Sequence, residues 1–136
     1  MATVRHSRAG LVGLWVAQIA LASFFLLAGG SKLTGAPETV TLFEAIGVGQ
    51  WFRYVTGVTE VGSAIALFVP SLAPFGAVAL VATMLGAIAT HVFVIGGSPA
   101  VPVVLLLAAL VVVWARRAQL FSALPGPRHF QTRRFS

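Results

Sequence analysis

Apolar residues run along this chain in four long stretches, each close to the ~20 residues that a lipid bilayer requires. The first extends from about Gly10 to Gly30 and the second from about Gln50 to Val69. Pro70-Ser71-Leu72-Ala73-Pro74 reads as a tight turn into the third, which ends near Ile95. Gly96-Gly97-Ser98-Pro99 turns into the fourth, which ends at Ala115. Pro99 and Pro102 suit the start of that helix, where a missing N–H breaks no bond. Between the first two stretches, Pro37 is placed to open a short helix, Thr41-x-x-Glu44 has the form of a capping box, and Gly47 is placed to end it. Leu42, Phe43 and Ile46 give this helix one apolar side, as expected for a helix at the membrane surface or the mouth of a bundle. An ordinary loop helix fits the same pattern. The pattern predicts an all-α fold, a four-transmembrane-helix bundle with a short interfacial helix in the first extracytoplasmic loop.

Composition strengthens that reading. The chain has 136 residues, 58% hydrophobic and 9% charged, too much apolar surface for so small a soluble globule to hide. The net charge of +6 does not point to nucleic acid, because seven of the nine Lys/Arg lie in the two tails and form no patterned face. Cysteine is absent, which removes disulfides and thiolate chemistry. His6 and His129 fall in the tails, so the three histidines do not form a metal set, and His91 alone cannot supply two axial haem ligands.

Charge also sets direction. Arg5 and Arg8 precede the first span, and Arg116, Arg117, Arg128, Arg133 and Arg134 follow the fourth. Lys32 and Arg53 in the first loop are balanced by Glu38 and Glu44. The positive-inside rule then places both termini in the cytoplasm, N-in and C-in. Trp15 and Trp114 fall toward the inner interface, with Trp51 and Tyr54 at the outer one. Residues 1–9 read as a cytoplasmic tail, 10–117 as the membrane domain and 118–136 as a basic cytoplasmic tail. The stretch from Arg116 to Ser136 combines five arginines with Phe121, Phe130 and Phe135, as a juxtamembrane anchor on anionic lipid would. The first stretch is long for a cleaved leader and no Ala-x-Ala site follows it, so it reads as an uncleaved helix.

Glu60 is one of only three acidic residues, and it falls inside a span, where a charge is costly unless a neighbour answers it. Helical spacing places Gln18, Ala22, Phe25, Gly29 and Lys32 along one line of the first span and Thr56, Glu60 and Ser63 on one face of the second. On the third, Thr83, Ala87 and Thr90 form a stripe with His91 on its flank. At 1.5 Å per residue, Glu60 lies roughly 15 Å below the outer membrane face and His91 roughly 6–8 Å below it. Lys32 stands at the mouth with a stem long enough to reach inward, and Gln18 lies deeper. Ala79, Ala82, Gly86 and Thr90, with Gly62 and Ala66, supply small residues of the kind that let helices pack closely.

Two readings of this cluster stand side by side. In one, Glu60 pairs with Lys32 or bonds to threonines, and His91 is a satisfied interhelical donor. In the other, Glu60, His91, Lys32, Gln18, Thr56 and Thr90 line a pocket for a small amphiphile such as a quinone or a lipid. No residue presents itself as a catalytic nucleophile.

Certain short motifs occur in a recognisable order. Ala28-Gly29-Gly30-Ser31-Lys32-Leu33 ends the first span, Phe43-Glu44-Ala45-Ile46-Gly47 lies in the first loop, and Glu60-Val61-Gly62 precedes Pro70. Met84-Leu85-Gly86-Ala87 leads to His91, and Arg116 closes the fourth span. Over roughly residues 10–117 the chain resembles the DoxX/DoxX-like family of small four-helix bacterial membrane proteins. DoxX-branch members usually carry an arginine where this chain has Gln18, so the resemblance is to the DoxX-like branch. It implies a multi-pass protein of the bacterial inner membrane. It further implies a non-catalytic subunit, or a quinone- or lipid-binding accessory, of a membrane redox assembly. Quinone is the cofactor that reading allows. The lipid bilayer, a membrane or cytoplasmic redox partner and a second copy of the chain are its partners.

A small exporter of an apolar or amphiphilic solute is the alternative, although no span carries a proline in its middle. An enzyme acting alone is less well supported. Acid–base isomerisation of a lipid-like substrate by Glu60 and His91 would be its chemistry, without an evident oxyanion or cofactor site.

Overall fold

The structure, a computed structural model, describes residues 7–126. Arg5, His6, Arg128, His129, Phe130, Arg133, Arg134 and Phe135, singled out above, lie outside the described residues. Among the described residues every regular element is helical. These are α1 (Arg8–Thr34), α2 (Pro37–Ile46), α3 (Gln50–Phe68), α4 (Ala73–Thr90), α5 (Ala100–Ala115) and α6 (Arg117–Ala123). A π-helical turn, His91–Ile95, continues α4.

Local chemistry sets the ends of these helices. The Ser7 hydroxyl accepts the backbone N–H of Gly10 at 3.1 Å and caps α1. Gly35, at φ 74°, ends it in the left-handed conformation that other residues avoid. Pro37 opens α2 and Gly47, at φ 80°, closes it, as expected. The capping box is not formed. Ala36 occupies the N-cap position without a side-chain bond. Thr41 lies inside the helix, where its hydroxyl donates back to Pro37 O at 3.0 Å. Proline at the first position removes one of the unpaired N–H groups, Thr39 and Val40 already donate theirs to Ala36 O, and the box one turn later has no free donors to satisfy.

The four longest helices pack side by side, α1 mainly on α3, α4 between α3 and α5, and α1 also touching α5. Leu21, Ala22, Phe25, Leu67, Leu80, Met84, Ala109 and Val112 form the core where they meet. The small-residue stripe expected on the third span is not the contact. A Cβ added at Gly86 or Gly62 would meet open space, whereas one at Gly76 would lie 2.7 Å from Ser63 O and 2.9 Å from the Cβ of Ala66. Gly76 therefore seats α4 on α3, with Ala66 of the expected pair beneath it. A second close crossing joins α1 to α3 at Gly29 and Gly57.

The outside of this assembly is apolar. Leu27 is 77% exposed and Phe93 83%, and Val58, Leu85, Val104 and Leu107 also point outward. Water would not support so continuous an apolar surface, and lipid would. Two helical stretches, Arg8–Thr34 and Ala73–Ile95, are long and apolar enough to cross a membrane, and α5 with α6 makes a third if that pair, bent by 61°, is one span. The stretch α3 does not qualify by composition, since it carries Gln50, Arg53, Thr56, Thr59 and Glu60.

Candidate functional site

The Gly29–Gly57 crossing decides where the charges meet. With no side chain on either glycine, α1 and α3 approach until Gly29 abuts the backbone of Gly57 and the Cβ of Glu60. Lys32 follows Gly29 by three residues, on the same side of α1. Its Nζ donates to Oε2 of Glu60 at 2.7 Å and more weakly to Ala28 O at 3.4 Å. Glu60 is 3% exposed, so this ion pair is what answers its charge.

Lys32 and Glu60 border a cavity of about 510 Å³. Thr56 and Thr59 face it from α3, Thr83 and Thr90 from α4, and His91 from the first position of the π-helical turn. Phe25, Met84 and Leu105 supply apolar wall, and Phe43 of α2 covers one side of the mouth. Phe43 is itself buried and meets Phe52 edge to face, ring centres 5.8 Å apart. Five of the six residues selected from sequence (Lys32, Thr56, Glu60, Thr90 and His91) thus line one space, together with Thr83.

Gln18 does not join them. It is buried at the other end of the helices, where its Nε2 donates to Leu67 O at 2.9 Å and its Oε1 accepts from Nε of Arg116 at 2.7 Å. The Arg116 guanidinium also lies over the Trp15 ring, 5.4 Å from its centre. Leu67 is in the last turn of α3, where carbonyls lack helical partners, so Gln18 serves as a side-chain cap. The Gln18→Leu variant is expected to lose about 2 kcal/mol, because a buried carbonyl and a buried guanidinium would both be left short of partners. Thermal unfolding in detergent measures the loss.

Two buried arginines escaped the sequence reading. Arg53, 5% exposed, donates from Nε to Oε1 of Gln50 at 2.7 Å and from a terminal nitrogen to Lys32 O, and so closes the end of α1 beside the cavity. The available signal was its position one helical turn after Gln50 in α3. Arg116, read as a membrane anchor, is instead the partner of Gln18. Both place positive charge at carbonyl-rich helix ends, which the helix dipole favours.

The cavity combines an electrically balanced pair, one imidazole and apolar walls, a set able to bind and orient an amphiphile and to pass a proton. Among the described residues no three His, Cys, Asp or Glu side chains gather to hold a metal. The sequence profile of the DoxX-like family matches residues 16–114, a range that contains every residue named at the cavity. No curated protein and no solved structure matches the chain.

Proposed function

The chain belongs to the DoxX-like family, and from that premise we propose that it is a non-catalytic quinone- or lipid-binding accessory of a membrane redox assembly. In this reading α1, α3, α4 with its π-helical turn, and α5 are four spans of the bacterial inner membrane, with both termini cytoplasmic. Residues 10–117 are the membrane domain and 118–136 a basic cytoplasmic tail. The polar residues of α3 turn inward on the other helices, which is how a span of modest hydropathy is tolerated in lipid. The cavity then opens in the outer half of the membrane, with α2 at its mouth.

One observation carries the proposal: Lys32, Glu60 and His91 border a single cavity of about 510 Å³ whose remaining walls are largely apolar. That volume falls within the range of small-molecule sites and suits a ring-sized polar head with an apolar tail. Native mass spectrometry of the protein released from nanodiscs, with extraction of bound small molecules, tests it. The expected result is one quinone- or lipid-like molecule retained per chain, and its loss in Ala28→Trp, a substitution that fills the cavity beside Lys32. A chain that retains nothing, and takes up neither a short-tailed quinone nor its hydroquinone when they are added, contradicts the proposal.

The π-helical turn favours a second reading, an exporter of an amphiphilic solute, because a locally rearranged backbone ladder beside a cavity is the kind of element that transporters move. Proteoliposome flux that depends on Glu60 would select that reading over the accessory one.

A further inference from the structure

The hydrogen-bonding groups around the cavity are not evenly divided between donors and acceptors. Each of its four threonines spends its only hydroxyl proton on its own helix. Thr56 donates to Phe52 O at 2.8 Å, Thr59 to Val55 O at 2.9 Å, Thr83 to Ala79 O at 2.9 Å and Thr90 to Gly86 O at 2.8 Å. What remains on each oxygen is lone pairs. His91 behaves in the same way. Its Nδ1 lies 2.9 Å from Ala87 O, and since a carbonyl oxygen only accepts, Nδ1 carries the proton. In the neutral ring Nε2 is then an acceptor. Glu60 accepts from Lys32 through Oε2, and among the described residues its Oε1 has no hydrogen-bond partner.

Donors are scarce by comparison. Lys32 has three N–H groups, and Glu60 and Ala28 engage two of them. Ser98 stands exposed at the rim. From this imbalance we infer that the cavity takes an amphiphile whose head donates hydrogen bonds, a phenol or hydroquinone hydroxyl on an apolar body, in preference to the same molecule with a carbonyl or ether in that place. The inference rests on the ligand-pocket reading and adds to it which form of the ligand is held. A hydroxyl head donates a hydrogen bond to Oε1 of Glu60 or Nε2 of His91, a charge-assisted bond in the first case. A carbonyl or ether head meets lone pairs with lone pairs and leaves those acceptors dry and unpaired. For a quinone couple the reduced, hydroxylated member is therefore the one retained.

The test uses a pair of ligands that differ only in the donor, 4-nonylphenol and its methyl ether. Binding is measured on the full chain in nanodiscs, each reading corrected against empty nanodiscs at the same ligand concentration in the bilayer. The expected result is a preference of about 10- to 100-fold for the phenol, the range of one buried hydrogen bond to a charged acceptor. The ratio is expected to collapse toward one in Glu60→Gln, whose amide supplies a donor of its own. His91→Phe should lower the ratio less. Equal binding of phenol and ether to the unmodified chain overturns the inference while leaving the pocket reading standing. Failure of both to bind overturns the pocket reading and the inference with it. A preference that persists in Glu60→Gln and in the double variant with His91→Phe removes the assignment to these two acceptors. The comparison on the unmodified chain stands whether or not the variants fold.

Discussion

Lys32→Ala is expected to destabilise the protein by about 3–5 kcal/mol, the usual penalty for stranding one member of a buried ion pair. Glu60 has 4% of its side chain exposed and Lys32 14%, so loss of the ammonium leaves a largely desolvated carboxylate without its counter-charge. Replacing both residues, as in Lys32→Met with Glu60→Leu, is expected to recover most of that loss, because the desolvation cost disappears with the charges. A double-mutant cycle by chemical unfolding in detergent gives the coupling directly. A loss below about 1 kcal/mol for Lys32→Ala would mean that the pair behaves as a solvated surface contact. Ligand binding would fail in the stable double variant for a separate reason, the absence of Oε1, and that separates the stability role of the pair from its place in the site.

Gly29→Val is expected to cost about 3 kcal/mol, near the upper end for overpacking a tight contact. The new Cβ would lie 2.8 Å from Cγ2 of Val61, 2.9 Å from Gly57 O and 3.0 Å from the Cβ of Glu60. Val61 can turn aside, but a backbone oxygen held in the α3 ladder cannot. The helices must therefore separate, which lengthens the contact between Lys32 and Glu60 and weakens the site as well. The neighbouring Gly30 provides the control. A Cβ there meets nothing within 4 Å, so Gly30→Ala is expected to raise stability by up to about 1 kcal/mol through helix propensity alone. Thermal unfolding of the two variants beside the parent protein decides the matter. Equal effects would show that the crossing is looser than its geometry.

Much of the architecture was legible because long apolar stretches and Pro/Gly punctuation are local signals. Pro37 opens α2 and Gly47 ends it for reasons contained in a few residues of chain, whereas α1 runs past the expected Gly30 to Thr34. The ion pair was legible for another reason. Acidic residues are so rare here that a carboxylate in mid-helix needed a partner, and Lys32 was the cation with reach. Gln18 shows where such reasoning fails. It shares a line on α1 with Lys32 and was read as deeper, but fourteen positions at 1.5 Å each put it roughly 21 Å further along the axis, where it meets Leu67 and Arg116 and not the cavity. The glycines failed for a related reason. α4 is apolar almost all round and carries little moment to say which side meets a neighbour, so nothing local told the exposed Gly86 from Gly76, which makes the contact. The donor–acceptor imbalance of the cavity was also beyond reach, because it depends on which carbonyl each threonine and His91 engages.

The bond from Arg116 to Gln18 joins positions 98 residues apart. During synthesis the opening helix is in place long before its partner exists. Until residue 116 leaves the ribosome, the amide oxygen of Gln18 must rely on water or a passing lipid headgroup. Closure at this end of the bundle therefore waits until Arg116 has been made, and a chain released before it would lack the latch that ties α1 to the end of α5.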